Sequence, residues 1–319
     1  MRTPILRQDA PTVLFLLLAG VVTSCTSNPY ADTNKLHRKQ VKAYAEELRT
    51  YPTPTPREQS IPQGDYWVGT TNFSMRRPNY VILHHTEQDS TGQTLRTFTK
   101  PETEVSAHYV IGKDGKVYHM LHDLLRAWHA GSGKWGNSTD LNSSSIGIEL
   151  DNNGSEPFPE AQINSLLQVL AMLKDTYKIP AANFIGHSDI APVRKVDPNK
   201  YFPWEQLARN GYGLWYDADV LEAYASYMAS LPAEKSALAP DTSAATGSLV
   251  TADSAVVGEP LFYPEHFDPQ EALRIIGYDT QDMGAAIRAF KLHFIQTDTT
   301  AVLTEPDKIV LYNLYKKYI

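Results

Sequence analysis

The order of its short apolar runs most strongly limits the folds that this chain can adopt. Strand-forming residues dominate three runs: NYVILHH (79–85), SAHYVIGKDGKVYHML (106–121) and SSIGIELD (144–151). The second run contains a Lys-Asp-Gly turn at 113–115, which is typical of a hairpin. A helix is predicted next, because apolar residues recur at helical spacing, and it ends at Lys178 before Ile179-Pro180. These residues are Ile163, Leu166, Leu167, Leu170, Leu173 and Tyr177. A final short strand is expected at NFIGH (183–187). Together these patterns predict an α/β domain over residues 66–216, with a mixed central sheet flanked by helices.

Helical patterns and a linker follow the α/β domain. One helix is predicted over 217–231, and the Ala/Ser/Thr-rich stretch that follows it predicts a flexible linker, so that residues 217–258 form a helix and linker. Residues 259–319 carry three helical signals, including an N-cap with proline at Asp268-Pro269 and a second start at Thr304. One buried helical face is predicted from Met283, Ile287, Phe290 and Phe294. The sequence therefore predicts a small all-α, three-helix C-terminal domain.

The N-terminus has the pattern of an export signal. Arg2 and Arg7 precede an apolar run at 13–22, which is followed by VTSC. This arrangement resembles a bacterial lipoprotein signal peptide of residues 1–24, cleaved before Cys25, whose acylation would anchor the chain stably in a membrane. The resemblance implies an outer-membrane location facing the periplasm, because Thr26 rather than aspartate follows the cysteine. The alternative is an ordinary secretory signal with an incidental cysteine.

The segment that follows Cys25 predicts a spacer. Residues 25–65 are polar, with a possible helix around 35–49 and the alternating prolines of YPTPTP. Such prolines favour an extended, semi-rigid chain. We therefore expect a tether that holds the α/β domain away from a membrane.

Charge and cysteine content exclude several classes of site. The net charge of −7 at pH 7 argues against a nucleic-acid partner, which requires a basic surface. The single cysteine excludes an internal disulfide and a cysteine-based metal site. We expect a monomer whose metal site, if present, uses histidines and carboxylates.

The stretch IGHSDIAPVRKVDP (185–198) concentrates groups that could serve a metal site. His187 ends the predicted strand, and Lys195 and Asp197 would project to one side if the segment between them is extended. A protonated lysine has no lone pair for a metal, so Lys195 is expected to stabilise an oxyanion instead. Asp197 is the candidate carboxylate ligand, with turn capping before Pro198 as the alternative.

Two strand-like runs supply the other candidates. Adjacent residues of a strand face opposite sides, so only one of His84 and His85 can face a given site, and spacing leaves open which one. Glu149 shares a strand face with Gly147, and the glycine is expected to leave room beside the carboxyl group. Glu149 is therefore a candidate proton carrier, and the alternative is a structural ion pair. Two histidines and a carboxylate around zinc leave an open position, as catalytic zinc requires. The remaining candidate histidines could simply be packed or hydrogen-bonded: His85, His108, His119, His122 and His129.

Several motifs in this order resemble one enzyme family. YVILHHT, VSAHYVIGKDGKVYHML, AWHAG, SIGIEL and IGHSDIAPVRKVDP…FPW are similar to the type 2 N-acetylmuramoyl-L-alanine amidases, which are related to peptidoglycan recognition proteins. The resemblance spans about residues 79–204. It implies one Zn²⁺ per chain, with three ligands: His84 rather than His85, His187 and Asp197. It also implies catalytic roles for Glu149 and Lys195, while Trp128 and His129 are expected to line the substrate groove.

The resemblance has departures and a C-terminal extension. Val193 and Asn199 stand where the family commonly has glycine, so the local loop shape is in question but the ligands are not. The C-terminal helices resemble a small peptidoglycan-binding-like domain, and the alternative is a bundle that only packs on the α/β domain. The family implies zinc-dependent cleavage between the lactyl group of N-acetylmuramic acid and L-alanine. The rival functions are recognition of peptidoglycan without cleavage and zinc-dependent cleavage of peptide crosslinks.

Overall fold

The computed structural model describes residues 28–49, 70, 72, 74–75, 77–231 and 262–319. The chain divides into two units, Met1–Gly69 and Thr70–Ile319. In the first unit, helix α1 (Ala31–Glu47) covers most of the helix predicted around 35–49. The predicted signal peptide, Cys25, residues 50–65 of the tether and the linker at 232–258 lie outside the described residues. Within the described ranges, no helix has the length and hydrophobicity needed to cross a membrane.

A five-stranded mixed sheet forms the centre of the second unit, as predicted. Its strands are β1 (Tyr80–His85), β2 (Tyr109–Ile111), β3 (Val117–His119), β4 (Ser145–Leu150) and β5 (Phe184–Gly186). Their order is β3-β2-β4-β1-β5, with β2, β4, β1 and β5 parallel and only β3 antiparallel. The predicted hairpin at 113–115 is the β2–β3 connection, where Gly115 adopts a φ of 80° that favours glycine.

Helices cover both faces of the sheet. The second unit contains α2 (Thr91–Phe98), α3 (Glu160–Tyr177), α4 (His187–Ile190), α5 (Trp204–Arg209), α6 (Asp219–Ser230), α7 (Pro269–Ile276), α8 (Met283–Phe294) and α9 (Glu305–Tyr318). Helix α3 ends as predicted at Lys178, whose φ of 55° stops the helix before Ile179-Pro180. Single-turn 3₁₀ segments occur at Pro101–Thr103, Leu141–Ser143 and Ala181–Asn183.

The two sheet faces belong to two hydrophobic clusters. On one face, Ile146, Ile148 and Leu150 pack in a cluster with the apolar side of α3, as the alternation of β4 predicts. On the opposite face, Ile82 and Ile185 share a cluster with apolar residues of the C-terminal helices. The sheet is therefore enclosed between α3 and helices α7–α9.

The three C-terminal helices form at the predicted start signals. Asp268 accepts a hydrogen bond from the Gln270 N–H at the start of α7, and Thr304 caps α9 together with Asp307. The buried face predicted for α8 includes Phe290 and Phe294, which lie in the same cluster as Ile82 of the sheet. These helices therefore share a hydrophobic core with the α/β part of the chain.

The parallel strands bring their carboxyl ends to one edge of the sheet. His84 and Glu149 are paired in register on β1 and β4, and β5 beside β1 ends immediately before His187. Chain segments that are far apart in sequence thus deliver three candidate side chains to the same edge.

Candidate active site

Three buried side chains direct one ligand atom each toward a common point. The Nδ1 atoms of His84 and His187 lie 2.9 Å apart, and each lies 3.1 Å from Oδ2 of Asp197. All three residues are buried, with exposed fractions of 1%, 4% and 7%. They form a group of potential metal ligands within the part of the chain that the structure describes.

The contacts of His187 are compatible with the tautomer that presents Nδ1 to the site. Its Nε2 lies 3.1 Å from the carbonyl oxygen of Ala130, which can only accept. Nη2 of Arg194 donates to the same carbonyl and to Ser132 O, and it also lies 3.3 Å from Nε2 of His187. With the hydrogen on Nε2, donated to Ala130, Nδ1 of His187 presents a lone pair to the site.

A chain of three hydrogen bonds defines the tautomer of His84. The Ser145 hydroxyl donates to Leu141 O at 2.5 Å, so it accepts from Nε2–H of His129 at 3.2 Å. Nδ1 of His129 is then free to accept from Nε2–H of His84 at 3.0 Å. His84 therefore also presents its Nδ1 lone pair to the site.

This donor set fits a divalent cation. Two nitrogen lone pairs and a carboxylate oxygen have no hydrogen to share, so at these distances they repel one another unless a cation lies between them. Burial and the neighbouring His187 lower the pKa of His84 to about 4, which keeps the imidazole neutral. Two imidazoles and one carboxylate form a typical catalytic zinc ligand set.

Glu149 lies beside this site in an environment that retains a proton. Burial, followed by the charge of Asp197, raises the pKa of its carboxyl to about 8, and the ammonium of Lys195 partly opposes the rise. Its buried Oε2 has no hydrogen-bond partner within the described residues. A carboxyl with such a pKa can both take up and release a proton near neutral pH.

Gly147 has a different function from the predicted one. A Cβ at Gly147 would overlap the ring of His129, so the glycine makes space for His129 rather than leaving open room beside Glu149. The peptide N–H groups of His129 and Ala130 both donate to Asn142 Oδ1, at 3.0 and 2.9 Å. The segment that supports both histidine ligands is thus itself held by a buried amide.

A cleft of about 490 Å³ opens beside the ligands. Its lining includes His187, His129, Trp128, Arg126, Arg194 and Lys195. Trp128 is 52% exposed, whereas His129 is buried. Lys195 lies close enough to Glu149 and His84 to lower the pKa of both. The cleft is therefore predominantly cationic next to the candidate metal site.

The structure brings His84, His187, Asp197, Glu149 and Lys195 together at one edge of the sheet. His85 lies outside the ligand group and accepts the Asn199 N–H at 3.1 Å. The other histidines considered make hydrogen bonds with Gly147 and Leu125 (His108), Asp123 (His119) and Leu124 (His122). Sequence reasoning missed the supporting roles of Asn142, Ser145 and the Ala130 carbonyl. AWHAG was the available signal for His129, but a backbone carbonyl leaves no signal in the sequence.

Comparisons with known proteins agree with this geometry. Residues 74–200 match the sequence profile of the family described as N-acetylmuramoyl-L-alanine amidase. The chain is also 30% identical over 265 residues to the N-acetylmuramoyl-L-alanine amidase AmiD of Escherichia coli (strain K12), covering 76% of this chain and 84% of AmiD. This chain belongs to the N-acetylmuramoyl-L-alanine amidase family. The predicted type 2 resemblance is confirmed.

Two solved structures resemble the chain over most of its length. Escherichia coli AmiD, in complex with the substrate anhydro-N-acetylmuramic acid-L-Ala-D-gamma-Glu-L-Lys, has a TM-score of 0.59 and 27% identity, with 78% of this chain and 93% of AmiD covered. AmpDh3 of Pseudomonas aeruginosa, in complex with anhydromuramic pentapeptide, has a TM-score of 0.58 and 26% identity, with 81% and 99% covered. The predicted fold class is confirmed by these similarities.

Proposed function

We propose that this protein hydrolyses the amide bond between the lactyl group of N-acetylmuramic acid and L-alanine in peptidoglycan or its fragments. The observation that carries this proposal is the convergence of His84, His187 and Asp197 beside Glu149 in a chain of the amidase family. The anhydromuramyl peptides bound to the two similar structures support peptidoglycan fragments as ligands.

One Zn²⁺ per chain is the proposed cofactor. His84, His187 and Asp197 would hold it, and the hydrogen bonds from His84 to His129 and from His187 to Ala130 O orient the two imidazoles for that purpose. When bound, zinc supplies a Lewis acid for the scissile carbonyl and a lowered pKa for an attacking water.

Glu149 is proposed to move the proton. Its carboxylate takes a proton from the attacking water, and its carboxyl then delivers that proton to the departing alanine nitrogen. Burial raises its pKa to about 8, which allows both steps near neutral pH. Within the described residues, no group forms a hydrogen bond with its buried Oε2.

Lys195 is proposed to stabilise the oxyanion. Its side chain lines the cleft, and its positive charge favours the ionised form of nearby Glu149. A fixed ammonium beside the reacting carbonyl would offset the charge that develops on the tetrahedral intermediate. Trp128 is proposed to contact the substrate, because half of its surface is exposed in the cleft, and His129 would line the base of the groove.

Anchoring to the cell envelope is a separate part of the proposal. The pattern Arg2, Arg7, an apolar run at 13–22 and VTSC supports cleavage before Cys25 and acylation of that cysteine. A monomer anchored in the outer membrane and facing the periplasm would meet peptidoglycan directly.

Digestion of purified sacculi and of anhydromuramyl peptides tests the reaction. We expect mass spectrometry to find stem peptides that begin with L-alanine and muramyl products with a free lactyl carboxylate. Release should stop when a chelator removes the metal and resume when zinc is added. Binding without release would instead identify a recognition protein, and cleavage between stem residues would identify a crosslink peptidase.

A further inference from the structure

A buried polar cluster connects the C-terminal helices to the metal-binding segment. Asp189, which lies two residues after His187 in α4, is fully buried. Its Oδ2 accepts the N–H of Gly186, the residue directly before His187, at 2.7 Å. The other donors to this carboxylate come from the C-terminal helical segment: Tyr278 Oη–H at 2.8 Å and His293 Nδ1–H at 2.7 Å.

The two donors are themselves held firmly. The ring of His293 stacks on Trp204 with centroids 3.8 Å apart and on Phe294 at 4.1 Å. Tyr278 is 2% exposed and packs edge-on against Trp135. Nε2 of His293 is buried without a partner in the described part of the chain. An apolar ring would fill this space without leaving a polar atom unpaired, so the contribution specific to histidine is its hydrogen bond to Asp189.

The turn at residues 186–188, which Asp189 holds, affects the position of more than one ligand. The Ser188 N–H donates to the carbonyl of Asp197 at 2.8 Å, so the first turn of α4 is bonded to the other ligand segment. A Cβ at Gly186 would come within 3.1 Å of Pro198 Cδ and of Trp204 Cζ2, which shows how little space surrounds this turn. A shift of the turn would therefore displace His187 relative to Asp197.

The C-terminal helical segment also holds the loop that orients His187. The Gly136 N–H donates to Gly277 O at 2.7 Å, and the Lys134 N–H donates to Ile190 O at 2.7 Å. This loop follows Ala130, whose carbonyl accepts the Nε2–H of His187.

We propose that Tyr278 and His293 are positioning residues, which act through Asp189 to hold His187 in the geometry that binds the metal. The C-terminal helices would then maintain the metal site, whatever further ligand they bind. This inference rests on the proposed function for the identity of the metal as zinc.

A matched pair of tyrosine variants separates this role from general packing. Tyr278→Phe removes a buried hydroxyl that donates to Asp189 at 2.8 Å. Tyr109→Phe removes a part-buried hydroxyl that donates to Asp123 at 2.8 Å, in the hydrophobic cluster on the other face of the sheet. Both variants of the full chain should lose thermal stability. We expect only Tyr278→Phe to raise the zinc dissociation constant, by about tenfold, the lower end of the loss that follows removal of a group supporting a ligand.

Variants at His293 provide a rescue test. His293→Leu should weaken zinc binding as Tyr278→Phe does. His293→Asn should retain most of the affinity, because its amide N–H lies at the position of the ring Nδ1 and can donate to Asp189. Chelator competition measures zinc affinity, and melting curves of the zinc-free proteins confirm that each variant is folded.

The possible outcomes are distinct. Zinc binding in Tyr278→Phe and His293→Leu that equals the wild type would overturn the positioning role while leaving the proposed function intact. An equal loss of zinc affinity in Tyr109→Phe would overturn it as well, because the effect would then reflect a general loss of stability. Failure of the wild-type chain to bind zinc would instead refute the proposed function.

Discussion

Replacement of Glu149 by glutamine should lower activity and raise stability, and the gain in stability should increase with pH. Burial raises the pKa of this carboxyl from a usual 4.5 to about 8, so the folded chain retains a proton that the unfolded chain releases above pH 4.5. Stability of the zinc-free wild type therefore falls as pH rises from 4.5 toward 8, because the folded state binds more protons throughout that range. Glutamine has nearly the same shape but no charge to bury, so Glu149→Gln should remove this pH-dependent loss.

The expected magnitude follows from the pKa difference. With one pKa unit worth about 1.36 kcal/mol, the gain in unfolding free energy is at most about 4 kcal/mol at pH 8 and below about 1 kcal/mol at pH 5. Urea unfolding of zinc-free wild type and variant at both pH values measures it, with Glu102→Gln as a control that neutralises an exposed carboxylate. Added zinc should reduce the gain, because its charge favours the ionised carboxylate. The reasoning is refuted if the stability difference between Glu149→Gln and the wild type is the same at pH 5 and pH 8.

Other substitutions separate metal binding, proton transfer and anchoring. Glu149→Ala should retain zinc by metal analysis but lose about 10²–10⁴-fold in turnover, and near-normal turnover would exclude Glu149 as the proton carrier. Asp197→Ala should lose bound zinc after dialysis, and retained stoichiometric zinc would contradict its role as a ligand. His129→Phe should weaken zinc about 10–100-fold in chelator competition, because His84 loses its orienting partner, and unchanged affinity would argue against that role. Cys25→Ser should move the protein from the membrane to the soluble fraction, and persistent membrane association would contradict lipid anchoring.

Local patterns were sufficient to predict most secondary structure. Alternation in β4 and helical spacing in α3 arise because one face of each element is buried, and the order of neighbouring residues records this directly. Helix α2 (Thr91–Phe98) was not predicted, because only Thr94 and Leu95 are buried and they do not form a stripe. Its one usable signal was Ser90, whose hydroxyl accepts the Gln93 N–H at its start.

The site could be predicted only in part from residue spacing. Spacing established that His84 and His85 face opposite ways, but both are buried, so burial does not distinguish the ligand from its neighbour. Asp197 and Lys195 do share the site, although residues 195–197 form no regular strand. The roles of Ala130 O, Ser145 and Asn142 depend on contacts between separate segments, and single-sequence patterns do not record such contacts.

The same limitation applies to the C-terminal helices, for which the sequence left open whether they bind peptidoglycan or only pack on the α/β domain. Their caps and apolar faces predict helices correctly, but those faces do not reveal what they cover. Phe290 and Ile82 lie in one cluster, so the helices complete the sheet face from which His84 projects. A site of two lone pairs, one carboxylate and a buried Glu149 has little intrinsic stability without a cation. Its geometry must therefore be imposed by surrounding structure, and the Asp189 cluster is where the C-terminal helices can impose it.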